Sequence, residues 1–276
     1  MKLKLPKLNF FKQRKIIFGL IVILFVALAG YLVYSSYTQV LPQSAIYFLN
    51  DAVAPKASQR VLVFSPHPDD ESIAAGGYIY DSTKNGANIK IVLVTDGNKH
   101  GLKVKRYAEF EKATAILGVS SQNLVFLNHS DGKLKQEDQN QIYAEFKKEI
   151  DDFHPDIIVY PSLKDEHPDH ATTGKIVQKV ITDEHYQGTA YQYLVHQSHF
   201  PQPDRYAPNL FLLPPTRMIT FDKEWLRYYL SSVTENKKDE AVNQYKTQIR
   251  VPILRSLMLS SIRKNELFSI SGKNND

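Results

Sequence analysis

Residues 64–71 read FSPHPDDE, and residues 163–170 read LKDEHPDH. The first stretch offers His67, Asp69 and Asp70, the second His167, Asp169 and His170. Imidazole and carboxylate donors without sulfur suit Zn²⁺ or, less selectively, Fe²⁺, Mn²⁺ or Co²⁺. Three protein ligands with one position left for water is the arrangement that catalytic sites use. The candidate groups outnumber what three ligands require, and the surplus is available for acid–base work. Pro66 and Pro68 hold the first stretch extended and stiff, which fixes the donors before an ion arrives. His-Pro-Asp occurs a third time at residues 154–156, in front of an apolar run. That copy reads as a turn feeding a strand, so two copies carry chemistry and one is punctuation.

Such donors act together only if secondary structure brings them to one place. RVLVFS (60–65) is a short β-branched apolar run stopped by proline, which predicts a buried strand. ESIAAGGYIYDSTKNG follows as a helix, with Asp69 and Asp70 where N-caps belong and Asn85-Gly86 as its stop. IKIVLVT (89–95) is the next strand, then the helix KRYAEFEKATAILG, the strand LVFLN and the helix QIYAEFKKEIDDF. DIIVYP predicts a fourth strand, and DHATTGKIVQKVITDEH the helix after it. AYQYLVH and MITFD read as later strands, and Glu235–Gln248 as an outer helix. This alternation predicts an α/β fold, a Rossmann-like and mostly parallel sheet with helices on both faces. In such sheets ligands bind beyond the carboxyl ends of the strands. Both histidine stretches begin there, after the first strand and after the fourth.

The net charge of +5 looks like a nucleic-acid signal until it is located. Lys2, Lys4, Lys7, Lys12, Arg14 and Lys15 crowd residues 1–15, and setting them aside leaves 28 basic against 29 acidic residues. A basic head and a near-neutral body do not describe a nucleic-acid-binding domain. The chain has no cysteine, which excludes disulfides, thiolate ligands and a cysteine nucleophile. Residues 16–34 form an uncharged apolar run of about the length that crosses a bilayer. The expected organisation is a basic cytoplasmic head (1–15), a transmembrane signal-anchor (16–34), a linker (35–57) and one catalytic domain (58–276). Lysine and arginine on the N-terminal side place the remainder outside the cytoplasm. Ala27-Leu28-Ala29 offers a cleavage site, so secretion after signal removal is the minor alternative.

PHPDDE after a first strand with HPDH after a fourth resembles the PIG-L/LmbE-like family of metal-dependent de-N-acetylases, which act on N-acetylglucosaminyl compounds. The resemblance covers roughly residues 59–270. IKIVLVTDG, KRYAEFEKATAILGV, DGKL (131–134), HPDIIVYP, KKDEAVNQYKTQ and NELF (265–268) support it. It implies zinc held by His67, Asp70 and His170. It casts Asp69 as general base and His167, oriented by Asp169, as acid or oxyanion stabiliser. Arg106 matches a substrate-contacting arginine, and Asp131 a sugar-hydroxyl contact. Zinc lowers the pKa of water and polarises an amide carbonyl, which suits hydrolysis of an unreactive bond. With an anchor in front, the implied substrate is an N-acetylglucosamine-containing glycan or glycolipid of the cell envelope. A glycan-binding protein with an idle metal site and an O-acetyl esterase are the competing readings.

Overall fold

A computed structural model describes residues 10–271 and divides them into two compact units, one ending at Val40 and one beginning at Leu41. In the first, helix α1 (Phe10–Thr38) contains a stretch, Lys12–Ser35, long and apolar enough to cross a membrane. Its apolar side chains from Ile16 to Tyr34 are almost all exposed. Lys2, Lys4 and Lys7 of the basic head lie outside the described residues.

The second unit opens with a short 3₁₀ turn (Gln43–Phe48) and β1 (Asn50–Asp51). It continues through β2 (Arg60–Ser65), α2 (Asp70–Lys84), β3 (Asn88–Thr95), α3 (Lys103–Ile116) and β4 (Leu124–His129). Next come α4 (Gln139–Phe153), β5 (Ile157–Pro161), α5 (Pro168–Asp183) and β6 (Thr189–Tyr193). The chain ends with β7 (Lys223–Tyr229), α6 (Ser232–Val242), α7 (Lys246–Ile249), α8 (Pro252–Ser260) and β8 (Asn265–Ser271).

The strands form one eight-stranded sheet in the order β1-β7-β8-β6-β5-β2-β3-β4. All neighbours are parallel except those of β8, which runs antiparallel to β6 and β7. From β2 the chain moves outward through β3 and β4, then returns to β5 on the other side of β2. The switch in direction therefore lies between β2 and β5, where Val63 is opposite Val159. At such a point the outgoing loops diverge and open a crevice. Strand alternation divides the apolar residues between two faces. Val61, Val63, Ile91 and Leu93 join the core beneath α2 and α3, whereas Leu62, Phe64, Val92 and Ile158 join the core beneath α4 and α5. Burial on both faces is why β2 and β3 read as continuous apolar runs rather than alternating ones.

Several expectations change at the edges. MITFD is not a strand: Thr216–Met218 makes a 3₁₀ turn, and the strand is Lys223–Tyr229 just after it. The expected helix over 235–248 is broken into α6 and α7. β8 carried no sequence signal because Glu266 and Ser269 interrupt its apolar residues, yet both are buried. Part of the stretch read as a spacer is folded, with Ile46 fully buried and Asn50 in register with Leu226.

Candidate active site

The loop leaving β2 is shaped by its own short hydrogen bonds. Ser65 Oγ donates to the His67 carbonyl (2.8 Å), and the Pro66 carbonyl accepts from Thr95 N and Oγ1 (2.9 and 2.7 Å). His67 N donates to Asp70 Oδ2 at 2.9 Å, which turns the Asp70 carboxylate back toward the His67 ring. Asp69, between them, has φ 140°, a positive value that a non-glycine residue adopts only under constraint. Glu71 lies below, fully buried, accepting from Ser72 Oγ (2.6 Å), Ser65 Oγ (3.2 Å) and the Tyr245 hydroxyl.

Across the switch point α5 begins with His167 as N-cap and proline next to it. Gly174, two turns into the helix, lies so close to β5 that a Cβ would stand 2.4 Å from the Pro161 carbonyl. This close approach places His170 against the β2 loop. His170 Nε2 is 3.0 Å from Asp70 Oδ2 and 3.2 Å from His67 Nδ1, and His67 Nδ1 is 3.2 Å from Asp70 Oδ2. All three residues are buried.

These three separations test whether the residues suit a metal. Ligand atoms about 2.0–2.1 Å from a tetrahedral ion stand roughly 3.3 Å from one another, close to the triangle observed. Two imidazole nitrogens facing each other also need something between them besides their lone pairs. The charges agree. Burial disfavours a charged His67, but Asp169 and Asp70 more than offset it and hold the ring up to about 9. His170 is likewise raised well above its usual value, against burial, by Asp70 and Asp165. Asp70 itself is held well below the usual carboxylate range, its burial outweighed by the two histidines. The acids around both rings favour positive charge there, which a divalent cation would supply. The donor set fits such an ion.

Around this triangle the other expected residues take places that sequence spacing did not specify. Asp69 is buried, and burial pushes its carboxyl up to about 7 despite the Arg106 guanidinium 3.2 Å away. Arg106 is buried as well, not a solvated helix arginine. It donates to the Pro68 carbonyl (2.9 Å), the Gly97 carbonyl (3.4 Å) and Asp131 Oδ2 (3.3 Å). It therefore bridges Asp69 and Asp131, and Asp131 Oδ1 in turn lies 3.5 Å from His67 Nε2.

Asp169 requires a correction. Its carboxylate does not orient His167. Asp169 Oδ2 is 3.1 Å from His67 Nε2 and accepts from Gly132 N (2.6 Å), while Oδ1 accepts from Leu134 N (3.1 Å). The reason is helical geometry: two residues into α5 the side chain points away from its N-cap neighbour and across to the β4 loop. What orients His167 is the Asp169 backbone, whose N–H donates to His167 Nδ1 at 3.3 Å. An accepting Nδ1 leaves the proton of the neutral ring on Nε2. Burial and the positive rings of His67 and His170 hold His167 down to about 4, so it stays neutral.

Sequence reading missed Asp165 and His196. Asp165 Oδ2 accepts from Val195 N and His196 N (3.0 Å each) and approaches His170 Nδ1 at 3.4 Å, off the line of a hydrogen bond. His196 packs 4.7 Å from His170, ring to ring, and burial and His170 hold it down to about 4. Each had a signal: Asp165 lies within LKDEHPDH, and His196 ends the predicted strand AYQYLVH at the same sheet edge. His154 is exposed at the end of α4 with φ 48°, at the opposite edge from the site.

His67, Asp69, Asp70, Arg106, Asp131 and His167 all line one cavity of about 390 Å³. Lys99 and His100 stand on one side, and Leu254, Leu257 and Met258 of α8 make an apolar wall. That volume suits a small-molecule or single-sugar ligand.

The family model of GlcNAc-PI de-N-acetylase (PIG-L) matches residues 62–181. The chain is 28% identical over 140 residues to a probable N-acetyl-alpha-D-glucosaminyl L-malate deacetylase 2 of Bacillus anthracis, covering 46% of this chain and 61% of that protein. It is 29% identical over 128 residues to the diacetylchitobiose deacetylase of Thermococcus kodakarensis, covering 42% and 46%. The chain thus spans about half to three-fifths of the length of these curated relatives. The fold resembles that of the N,N'-diacetylchitobiose deacetylase from Pyrococcus horikoshii, with a TM-score of 0.53 at 21% identity over 78% of this chain and 85% of that one. The matched segment holds both histidine stretches and the switch point between them, and over that segment the chain is similar to the PIG-L family.

Proposed function

We propose that this protein removes the acetyl group from an N-acetylglucosamine unit of a cell-envelope glycan or glycolipid. The observation that carries the reading is the triangle of His67, Asp70 and His170, of which His67 and Asp70 line one cavity beside the buried Asp69. The names of the two relatives support the sugar and the bond. Zinc is the cation this donor set favours, with Fe²⁺ or another first-row ion able to replace it. When bound, it supplies Lewis acidity at the attacking water and the acyl oxygen.

The chain's own residues do the rest. Asp69, next to the triangle but facing Arg106, takes the proton of the attacking water and returns it to the departing nitrogen. His167 Nε2–H, fixed by the backbone bond at Nδ1, donates to the oxyanion as it forms. Asp131, tied to Arg106, presents its carboxylate to sugar hydroxyls. In this reading helix α1 is an anchor, and the lysine and arginine asymmetry before it supports an extracytoplasmic catalytic unit.

The test is acetate release by the full chain in detergent from N-acetylglucosaminides and from envelope extracts, with O-acetylated sugars in parallel. Release from amides that stops on chelation and returns with zinc supports the reading. Release from esters alone overturns it.

A further inference from the structure

Helix α8 has two working faces. Leu254, Leu257 and Met258 turn inward and line the catalytic cavity. Pro252, Arg255, Ser256 and Leu259, the opposite stripe at helical spacing, line a second groove with Arg205, Tyr206, Ile249 and Arg250. Arg205, Arg250 and Arg255 are all exposed, and no carboxylate forms an ion pair with any of them among the described residues. The acid of that loop, Asp204, accepts from Ser256 Oγ at 2.8 Å. Beneath the loop Arg263 is fully buried. Its guanidinium is held by the carbonyls of Pro203 (2.7 Å), Arg205 and Ile262 (3.1 Å each), with no carboxylate partner among the described residues. Four arginines therefore gather at one place in a body whose net charge is close to zero.

The patch also has an apolar tip. Ile253 is 83% exposed and Val251 44% exposed, both beside the arginines at the start of α8. Cationic side chains around protruding aliphatic ones are the pattern of an interfacial helix, in which the aliphatic groups enter the headgroup layer and the cations meet anionic lipid. A soluble anionic polymer would satisfy the arginines but leave Ile253 in water. The same chain carries the stretch Lys12–Ser35, long and apolar enough to cross a membrane.

We propose that the start of α8 docks on an anionic lipid surface, with Ile253 and Val251 inserted and Arg205, Arg250 and Arg255 against lipid phosphates. The helix that walls the catalytic cavity is then the one that touches lipid, which favours a sugar carried on a lipid. That last consequence rests on the function proposed above; the docking itself does not.

The absence of cysteine makes the test clean. The full chain with Ile253→Cys is labelled with an environment-sensitive fluorophore and reconstituted into nanodiscs of phosphatidylcholine, with and without phosphatidylglycerol. Gln122→Cys, labelled alike, reports a site far from α8 in sequence and exposed to water. Docking predicts a blue shift and quenching by spin-labelled lipid at position 253 only, in anionic discs, weakened by salt. Combined Arg205→Gln, Arg250→Gln and Arg255→Gln abolishes the shift with unchanged circular dichroism. A label at 253 that stays in water in both lipids overturns the proposal. So does a shift produced by soluble polyphosphate and not by lipid. Failure to enter phosphatidylcholine discs at all would overturn α1 as an anchor instead, and anionic vesicles added to the labelled chain would still test α8.

Discussion

The carboxylate of Asp169 stands 3.1 Å from Nε2 of His67, a residue 102 positions earlier, and two backbone N–H groups of the β4 loop hold it there. A carboxylate on the far nitrogen of a ligating histidine fixes the tautomer and raises the basicity of the near one. In the proposed function Asp169 would therefore steady His67 as a ligand, while His167 is oriented by the backbone N–H of residue 169.

Asp169→Asn should therefore weaken zinc binding by about 10–100-fold. Competition against a chromophoric chelator reads this directly. Unchanged affinity with a lower kcat would return Asp169 to a role on His167.

Asp69 combines a buried carboxyl with a φ of 140°. Replacing it with asparagine should lower kcat by about 10²–10⁴ with cation affinity nearly intact. Replacing it with glycine should do the same to kcat and also raise the melting temperature, because a strained non-glycine backbone costs about 1–3 kcal/mol. Thermal melts of the three proteins side by side test the order, and a glycine variant less stable than the parent would refute the strain argument.

Glu266 accepts from Gly77 N and Tyr78 N (2.8 Å each) and from Lys238 Nζ (2.7 Å), all buried. Removing one partner of such a pair leaves an uncompensated charge, so Lys238→Met should cost about 3–5 kcal/mol in chemical denaturation. Burial already raises the Glu266 carboxyl, and Lys238 restrains it. Without the lysine the carboxyl rises further, and the folded state then holds a proton that the unfolded chain has lost. The deficit relative to the parent should be smallest in acid and grow as pH rises past the parent's raised Glu266 carboxyl. A pH-independent deficit would mean packing, not charge, is lost.

Lys223, half-buried at the start of β7, donates to Ser162 Oγ (3.3 Å) and Gln192 Oε1 (3.2 Å) but has no ion pair among the described residues. Burial, with Lys164 nearby, lowers its amine from 10.5 to about 8. The unfolded chain binds more protons between those values, so this lysine costs stability at neutral pH and is relieved as pH climbs from 8 to 10.5. Lys223→Met should be more stable relative to the parent at pH 7 than at pH 10. Equal differences in melting temperature at both would show that the amine is not perturbed.

Much of this was legible in the sequence because it is local. Strand and helix alternation follows from apolar runs and stop signals, as in RVLVFS before proline and the helix ending at Asn85-Gly86. Once β2 and β5 are recognised, the switch point brings their two loops together, so the six donors of the two histidine stretches could be grouped from sequence order, while singling out His67, Asp70 and His170 among them rested on the family resemblance. β8 was hidden because its polar residues Asn265 and Glu266 are satisfied by Leu212 and Lys238, partners far along the chain. The same holds for Arg106, which looks solvated in its helix but is enclosed by Pro68, Gly97 and Asp131. The sequence by itself determined which donor types exist and which sheet edge carries them. Only the tertiary structure decided their pairing, Asp169 with His67 and Arg106 with Asp69. Pairing depends on side-chain direction and on loop closure across a hundred residues, and neither is written in local periodicity.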